Sequence, residues 1–317
     1  MAGHSLFEII LFVVLVSVCL WIDLHAHSKD EPVSARAASK WTIAWVALAL
    51  LFAGYIGWND GTDQAELFLA GYLLEESLSV DNLFVMMAIF SSFGIREEFQ
   101  HRVLYYGILG AVFMRLLFVV AGSSLIMLFG PYALAGFGAF VLWTAWKMFR
   151  SLGRKEQAVV DYSQHWAVRW TQKFLPVHPK LSGHAFFVKE ANGGQAARWM
   201  ATPLFLCLMV IEMSDLLFAL DSVPAVLAIT PDPFLVYTSN IFAILGLRSM
   251  YFLLSAAARH LRYLKVSVVA ILAFVGAKML VDVAGFVHFP PMVSLGVIAG
   301  LLLLGIMASF FPEKARK

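Results

Sequence analysis

Apolar stretches broken by short polar turns run through this chain almost from end to end. Those long enough to cross a hydrocarbon core, about 20 helical residues, have limits near 5–25, 41–58, 66–94, 103–129, 132–149, 201–228, 234–256, 266–287 and 291–311. Turn-forming groups separate them: Trp58-Asn59-Asp60-Gly61, Gly130-Pro131, Pro231-Asp232-Pro233 and Pro290-Pro291. Residues 150–200 break the rhythm. They are polar, carry Pro176, Pro179, Gly193 and Gly194, and form the one long loop, with amphipathic pieces such as Trp166-Ala167-Val168-Arg169-Trp170 suited to a membrane surface. The pattern predicts an all-α class: a polytopic transmembrane helical bundle of about nine spans, one integral membrane domain over residues 1–317, with the 150–200 loop inside it.

Composition agrees. Hydrophobic residues make up 61% and charged residues 14% of the 317-residue chain, against about 25% charged in soluble domains. A net charge of +2 gives no basic surface of the kind nucleic acid needs. The placement of the positive charges says more. One set of alternate loops holds Lys29, Arg36 and Lys40, then Arg96 and Arg102, then nine cations from Lys147 to Arg198, then Arg259, Arg262 and Lys265, and the tail holds Lys314, Arg316 and Lys317. The opposite loops hold none, so the positive-inside rule puts the N-terminus outside and the C-terminus and the 150–200 loop in the cytoplasm. Trp21, Trp41, Trp45, Trp58, Trp143 and Trp146 lie near span ends, as an interfacial aromatic belt would.

Two stretches resemble each other. Glu75-Glu76-Ser77-Leu78-Ser79-Val80-Asp81-Asn82 and Asp215-Leu216-Leu217-Phe218-Ala219-Leu220-Asp221-Ser222 each set an acid six residues before an Asp. The next span of each carries Ile-Leu-Gly and an arginine (Ile108-Leu109-Gly110 with Arg115, Ile244-Leu245-Gly246 with Arg248), and the third carries Lys-Met, at Lys147-Met148 and Lys278-Met279. Spans 3–5 and 6–8 are therefore expected to be copies. A three-span unit repeated in tandem reverses its direction, which is the inverted repeat of many secondary transporters, with the site near the midplane.

The acids carry the chemistry. Glu75, Glu76 and Asp81 fall in span 3, and Glu212, Asp215 and Asp221 in span 6. Each costs about 2.5–3.5 kcal/mol at a bilayer centre, so such residues face one another, a cation or a water-filled cavity. Only Arg115, Arg248 and Lys278 lie within spans to offset them. Static pairing of these bases would fix helix packing; a mobile arginine could instead occupy the acids when a cation leaves. Glu212 and Asp215, three apart, share a helix face, whereas Asp215 and Asp221, six apart, sit about 120° off a common face. Bringing that pair together needs a break, expected at Pro224, whose missing N–H frees the Leu220 carbonyl; the repeat extends the expectation to Ser77–Ser79, where tilt of the long span 3 is the equal alternative. Carboxylates supplemented by Asn82, Ser214, Ser222 and Asn240 suit hard ions such as Mg, Ca or Mn. Histidines lie away from the acids: His25, His27, His101, His165, His178, His184 and His260 near cytoplasmic loops, His4 and His288 near the outer face, with solvated roles expected. A surface metal site at His25-x-His27 is a minor option. Cys19 and Cys207 form no CxxC pair.

These strings resemble the TerC family of integral membrane proteins, and are similar to its Alx-like bacterial members. The likeness is densest in Gly71-Tyr72-Leu73-Leu74-Glu75 through Val80-Asp81-Asn82-Leu83-Phe84-Val85, in Glu212-Met213-Ser214-Asp215 through Asp221-Ser222-Val223-Pro224-Ala225, and in Thr238-Ser239-Asn240 through Gly246-Leu247-Arg248. The resemblance implies manganese export across the bacterial inner membrane, and historically tellurite resistance. It implies that Glu75, Asp81, Glu212, Asp215 and Asp221 bind the ion. Glu76 departs from the Alx-like pattern, which has a lysine there.

The expected activity is secondary transport of a divalent cation, Mn2+ ahead of Ca2+ or Mg2+, with protons as the coupling partner and Glu76, Asn82, Ser214, Ser222, Asn240, Arg115, Arg248 and Lys278 as supporting pathway residues. No cofactor is expected to be held permanently and no catalytic residue is expected. The chain carries no G-x-x-x-x-G-K-[ST], HExxH or G-x-S-x-G motif. The rival readings are a stress-response or redox-associated scaffold docking through the 150–200 loop, and an intramembrane metal-dependent enzyme.

Overall fold

A computed structural model of the chain describes residues 6–26, 34–152, 165–190, 198–257, 263–285 and 289–310. Among them run ten helices: α1 (Leu6–Ala26), α2 (Ala35–Asn59), α3 (Thr62–Ser92), α4 (Glu97–Phe129), α5 (Pro131–Leu152), α6 (Trp166–Phe174), α7 (Pro203–Leu227), α8 (Pro233–Ala257), α9 (Leu264–Val283) and α10 (Pro291–Phe310). All but α6 coincide with the nine apolar stretches. By length and composition Arg36–Asn59, Glu97–Phe129, Pro203–Leu227, Lys265–Val283 and Pro291–Ser309 can each cross a membrane, and Leu6–Ile22 is a shorter apolar helix. In α3 and α8 the apolar run is interrupted by the acids, amides and hydroxyls they carry to the interior.

The 150–200 loop holds structure that was not expected of it. Beside α6 it contains a two-stranded antiparallel sheet, β1 (Phe187–Glu190) and β2 (Arg198–Ala201), with Phe187 opposite Ala201 and Lys189 opposite Trp199. Alternation over four residues is too short to register as a strand against the surrounding Pro and Gly. The sheet and its lead-in cap the bundle: Phe186 packs edge-on to Tyr106 of α4 at 5.2 Å and Phe187 lies 4.5 Å from Phe205 of α7.

The expected helix breaks are absent. Through Ser77–Ser79, α3 is continuous, and Ser77 Oγ donates back to the Leu73 carbonyl at 2.6 Å. Likewise α7 runs unbroken through Pro224. The proline sits in the last turn, where one lost donor matters little and Ala228 N–H still reaches the Pro224 carbonyl at 3.0 Å. The tip joining α7 to α8 is not a surface turn: Ala228, Ile229 and Thr230 are buried. A methyl placed on Gly122, seven residues before the end of α4, would meet the Leu227 side chain. Trp45 leaves the expected belt, being buried and stacked on Trp41, while Trp58, Trp143 and Trp146 are exposed.

The helix pairings have a pattern. The principal packings are α3 with α8, α4 with α7, and α5 with α9. Exchanging the set α3–α5 with α7–α9 turns the first pairing into the second and returns the third to itself. At the α5–α9 crossing the backbones approach through glycine. A methyl on Gly276 would stand 3.1 Å from both the Gly138 carbonyl oxygen and the Leu142 amide nitrogen, and one on Gly138 would stand 3.3 Å from the Gly276 carbonyl. Small residues at such crossings supply the packing that lipid cannot drive. Gly276→Leu should therefore cost about 1–3 kcal/mol by overpacking and lower the thermal unfolding midpoint in detergent. Gly54→Ala, where nothing lies within 4 Å, should leave that midpoint nearly unmoved.

Candidate functional site

Four helices converge on a polar knot. Glu75 of α3, Arg115 of α4, Asp215 of α7 and Asn240 of α8 are at most 2% exposed. Arg115 Nη1 donates to Glu75 Oε1 and to Asn240 Oδ1, and Nη2 lies 3.9 Å from Asp215 Oδ1. Asn240 is oriented by its own helix, its Nδ2 donating to the Val236 carbonyl at 2.9 Å. One guanidinium fork thus holds an acid from each of the two expected units and an amide from the second. The planar, permanently charged fork suits this bridging. Glu75 Oε2 and both Asp215 oxygens have no hydrogen-bond partner among the described residues. Arg248 is buried nearby and lines, with Asp215, a void of about 10 Å³, roughly the space of one water.

Asp221 lies elsewhere, because the unbroken α7 keeps it about 120° around the helix from Asp215. It opens into a cavity of about 220 Å³ between α3, α5, α7 and α9, lined by Asn82, Thr144, Lys147, Asp221 and Ser222 among others. Thr144 Oγ1 donates to Asp221 Oδ1 at 3.1 Å. Ser222 Oγ and Asn82 Nδ2 are buried without a hydrogen-bond partner among the described residues. Carboxylate, hydroxyl and amide oxygens in one hollow match the donor types of a hard divalent ion, on one side of a cavity whose remaining lining is Lys147 and apolar side chains such as Leu78, Phe218 and Leu272. A larger hollow of about 530 Å³, lined by Leu125, Phe129, Tyr132, Phe137, Leu220 and Pro224 among others, is apolar and offers no carboxylate.

The remaining expected residues fall into separate settings. Glu212 packs on α4, where a methyl on Gly110 would overlap its carboxylate; Glu76 packs towards α8, its Oε1 3.7 Å from where a methyl on Gly246 would stand. These are the glycines of the two Ile-Leu-Gly strings, so each acid faces the other unit's glycine. Ser214 turns back to the Val210 carbonyl at 2.8 Å. Lys278 lies 3.9 Å from Asp282 on its own helix and does not join the acids. Asp81 is within α3, but its side chain lies outside the described residues. His25 is within α1 with its side chain likewise outside the described residues, and His27 lies outside them, so the His25-x-His27 pair is not described. Among the described residues no three His, Cys, Asp or Glu side chains gather as a metal-holding group. His101 is not solvated as expected: it is buried and stacked on Phe252 at 4.2 Å. His165 accepts from the Ala167 amide and caps α6. Cys19 and Cys207 are both buried and in no disulfide.

The sequence did not single out Thr144, and it offered Lys147 in the Lys-Met match of span 5 and among the long loop's cations, not beside Asp221; α5 runs past it to Leu152. Asp282 was missed as well, although the i,i+4 spacing from Lys278 is a visible sign of that pairing.

Comparison with known proteins agrees with this architecture. Residues 60–317 match the integral membrane protein TerC family. The chain is 43% identical to a tellurium resistance protein TerC of Serratia marcescens, over 98% of this chain and 96% of that protein. It is 42% identical to a tellurium resistance protein TerC of an Alcaligenes species, over 96% and 93%. It is 41% identical, over 92% and 91%, to an Escherichia coli (strain K12) protein named as a membrane-bound redox modulator, Alx. No solved structure matches. A profile spanning most of the chain, near-complete relatives above 40% identity and a bundle of long apolar helices agree: the chain belongs to the TerC family of integral membrane proteins.

Proposed function

We propose that this chain is a secondary transporter that exports a hard divalent cation, manganese foremost, from the cytoplasm through alternating access coupled to protons. Asp221 is the ion's entry ligand, with Asn82, Thr144 and Ser222 supplying neutral oxygens, and Asp81, its counterpart in the repeat, is the second acid that holds the ion. Glu75 and Asp215 form the inner pair that Arg115 holds together between visits, and Glu212 and Glu76 serve the pathway at the contacts between the two units. The α3–α5 and α7–α9 sets act as an inverted repeat. The protein lies in the bacterial inner membrane with its N-terminus outside and the α6–β2 region in the cytoplasm, the orientation that the positive charges favour.

The observation that carries this reading is the placement of acids of both units at the contact between them, with the Asp221 cavity beside. Transporters place their sites at that contact. Acids inside a membrane are functional by default because their burial is costly. The TerC name of the Serratia and Alcaligenes relatives fits a metal-related membrane role without fixing the ion. The redox reading that the name Alx suggests gains nothing from two buried, separate thiols.

The test is the cytoplasmic manganese content of cells under manganese load. Wild type should hold it down, while Asp81→Asn and Asp221→Asn at matched expression should let it rise towards the level of cells without the protein. Equal manganese in all three would reject export. A phenotype abolished by deleting residues 150–200 yet untouched by both substitutions would favour the scaffold.

A further inference from the structure

Helix α6 has one face that its own fold covers and another that it does not. At 100° per residue, Ala167, Val168 and Thr171 share the covered face and are buried, and α6 packs on α7. Trp166, Trp170 and Phe174 follow at i, i+4 and i+8 and form one stripe beside that face. Trp170 and Phe174 touch at 5.0 Å, and all three are exposed, at 47%, 53% and 69%. Arg169 and Lys173, both exposed, flank the stripe on its other side, and Gln172 points away from it.

The hairpin repeats this chemistry. Phe187, Lys189 and Trp199 share one face of the sheet, since alternate residues do and Lys189 pairs with Trp199. Trp199 is exposed, Phe187 is exposed on the side turned away from Phe205, and Lys189 Nζ lies 6.0 Å over the Trp199 ring. Across residues 165–190 and 198–201 the cations are Arg169, Lys173, Lys180, Lys189 and Arg198, against the single acid Glu190.

An exposed aromatic stripe flanked by cations is wasteful in water and suited to a bilayer interface. There the rings sit at headgroup depth and the cations meet lipid phosphates. A juxtamembrane cation is worth about 1 kcal/mol on an anionic surface. We infer that α6, with the β1–β2 face, lies on the bilayer that the other helices span and binds the headgroups of its anionic phospholipids. The soluble-looking segment between the two units is thereby held to the membrane plane. This inference is independent of the transported ion.

The experiment uses the full chain with a nitroxide label at Phe174→Cys or, separately, at Trp170→Cys, and at Gln172→Cys as the control on the same helix. Cys19 and Cys207 are buried, so the reagent reaches the introduced thiol. The bilayers are nanodiscs of phosphatidylethanolamine with about one quarter phosphatidylglycerol, to mimic an anionic leaflet, and nanodiscs of phosphatidylcholine alone. In the anionic bilayer the labels at 170 and 174 should collide with a water-soluble nickel chelate at least about threefold less, and with oxygen more, than the label at 172. Arg169→Glu with Lys173→Glu should remove much of that protection, as should phosphatidylcholine. Chelate access at 170 and 174 equal to that at 172 would overturn the inference. So would protection that ignores lipid charge, or labels shielded from oxygen and chelate alike, which would mean a protein cover.

Discussion

Arg115→Met is expected to destabilise the fold by about 3–5 kcal/mol, the usual cost of removing one partner from a buried ion pair, and to abolish transport with it. The guanidinium is fully buried and bridges Glu75, Asn240 and Asp215 across four helices. Without it two carboxylates of opposite units stand in the interior with one compensating charge fewer. Arg115→Lys should recover only part of the loss, because a single compact ammonium does not present the two nitrogens with which the guanidinium faces Glu75 and Asn240 on one side and Asp215 on the other. Arg115→Met combined with Glu75→Gln should cost less than the sum of the two single changes, since residues in one network couple by 0.5–3 kcal/mol. Unfolding midpoints of the four proteins in one detergent check this. Strict additivity would mean that Arg115 and Glu75 do not act as a unit.

Asp221→Asn is expected to act in the opposite sense, sparing the fold and removing the activity. The residue faces a cavity, and an amide oxygen can still accept the Thr144 hydroxyl now 3.1 Å away. Its stability cost should therefore be under about 1 kcal/mol. Ion flux should fall at least about tenfold, in line with losses seen when metal ligation is disturbed. Thr144→Val, which removes a hydroxyl that orients the carboxylate, should reduce flux by a smaller factor. Flux measured at matched folded protein separates the two roles; an unfolded Asp221→Asn protein with normal flux per folded molecule would assign Asp221 to structure.

The contrast between these substitutions shows what the sequence could and could not convey. The nine long helices were legible because a bilayer demands apolar runs of set length, and each expected stretch holds a helix. The acids were legible as costly residues, and Glu75, Arg115, Asp215 and Asn240 do meet. The union of Asp215 with Asp221 was not realised, because it required a helix break. Pro224 stands too near the end of α7 to make one, and Ser77 of α3 bonds back to the Leu73 carbonyl within its own unbroken helix. Thr144 and Lys147 were invisible as partners of Asp221, since a contact between α5 and α7 leaves no mark on either segment alone. The β1–β2 sheet escaped for a related reason: four-residue strands depend on the packing of Phe186 and Phe187 against α4 and α7 rather than on their own pattern.

Alternating access would require the Arg115 knot to open and re-form as the units rock. The glycines facing Glu76 and Glu212 mark where the two units touch through a carboxylate and no opposing side chain.

The most direct measurement is manganese flux by the purified protein in sealed proteoliposomes with an imposed pH gradient, alongside Asp221→Asn. The account predicts gradient-dependent manganese movement by the wild-type protein, collapse on adding a protonophore, and flux at the empty-vesicle level for the variant. Wild-type flux no greater than that of empty vesicles, or equal flux in wild type and Asp221→Asn, would contradict it.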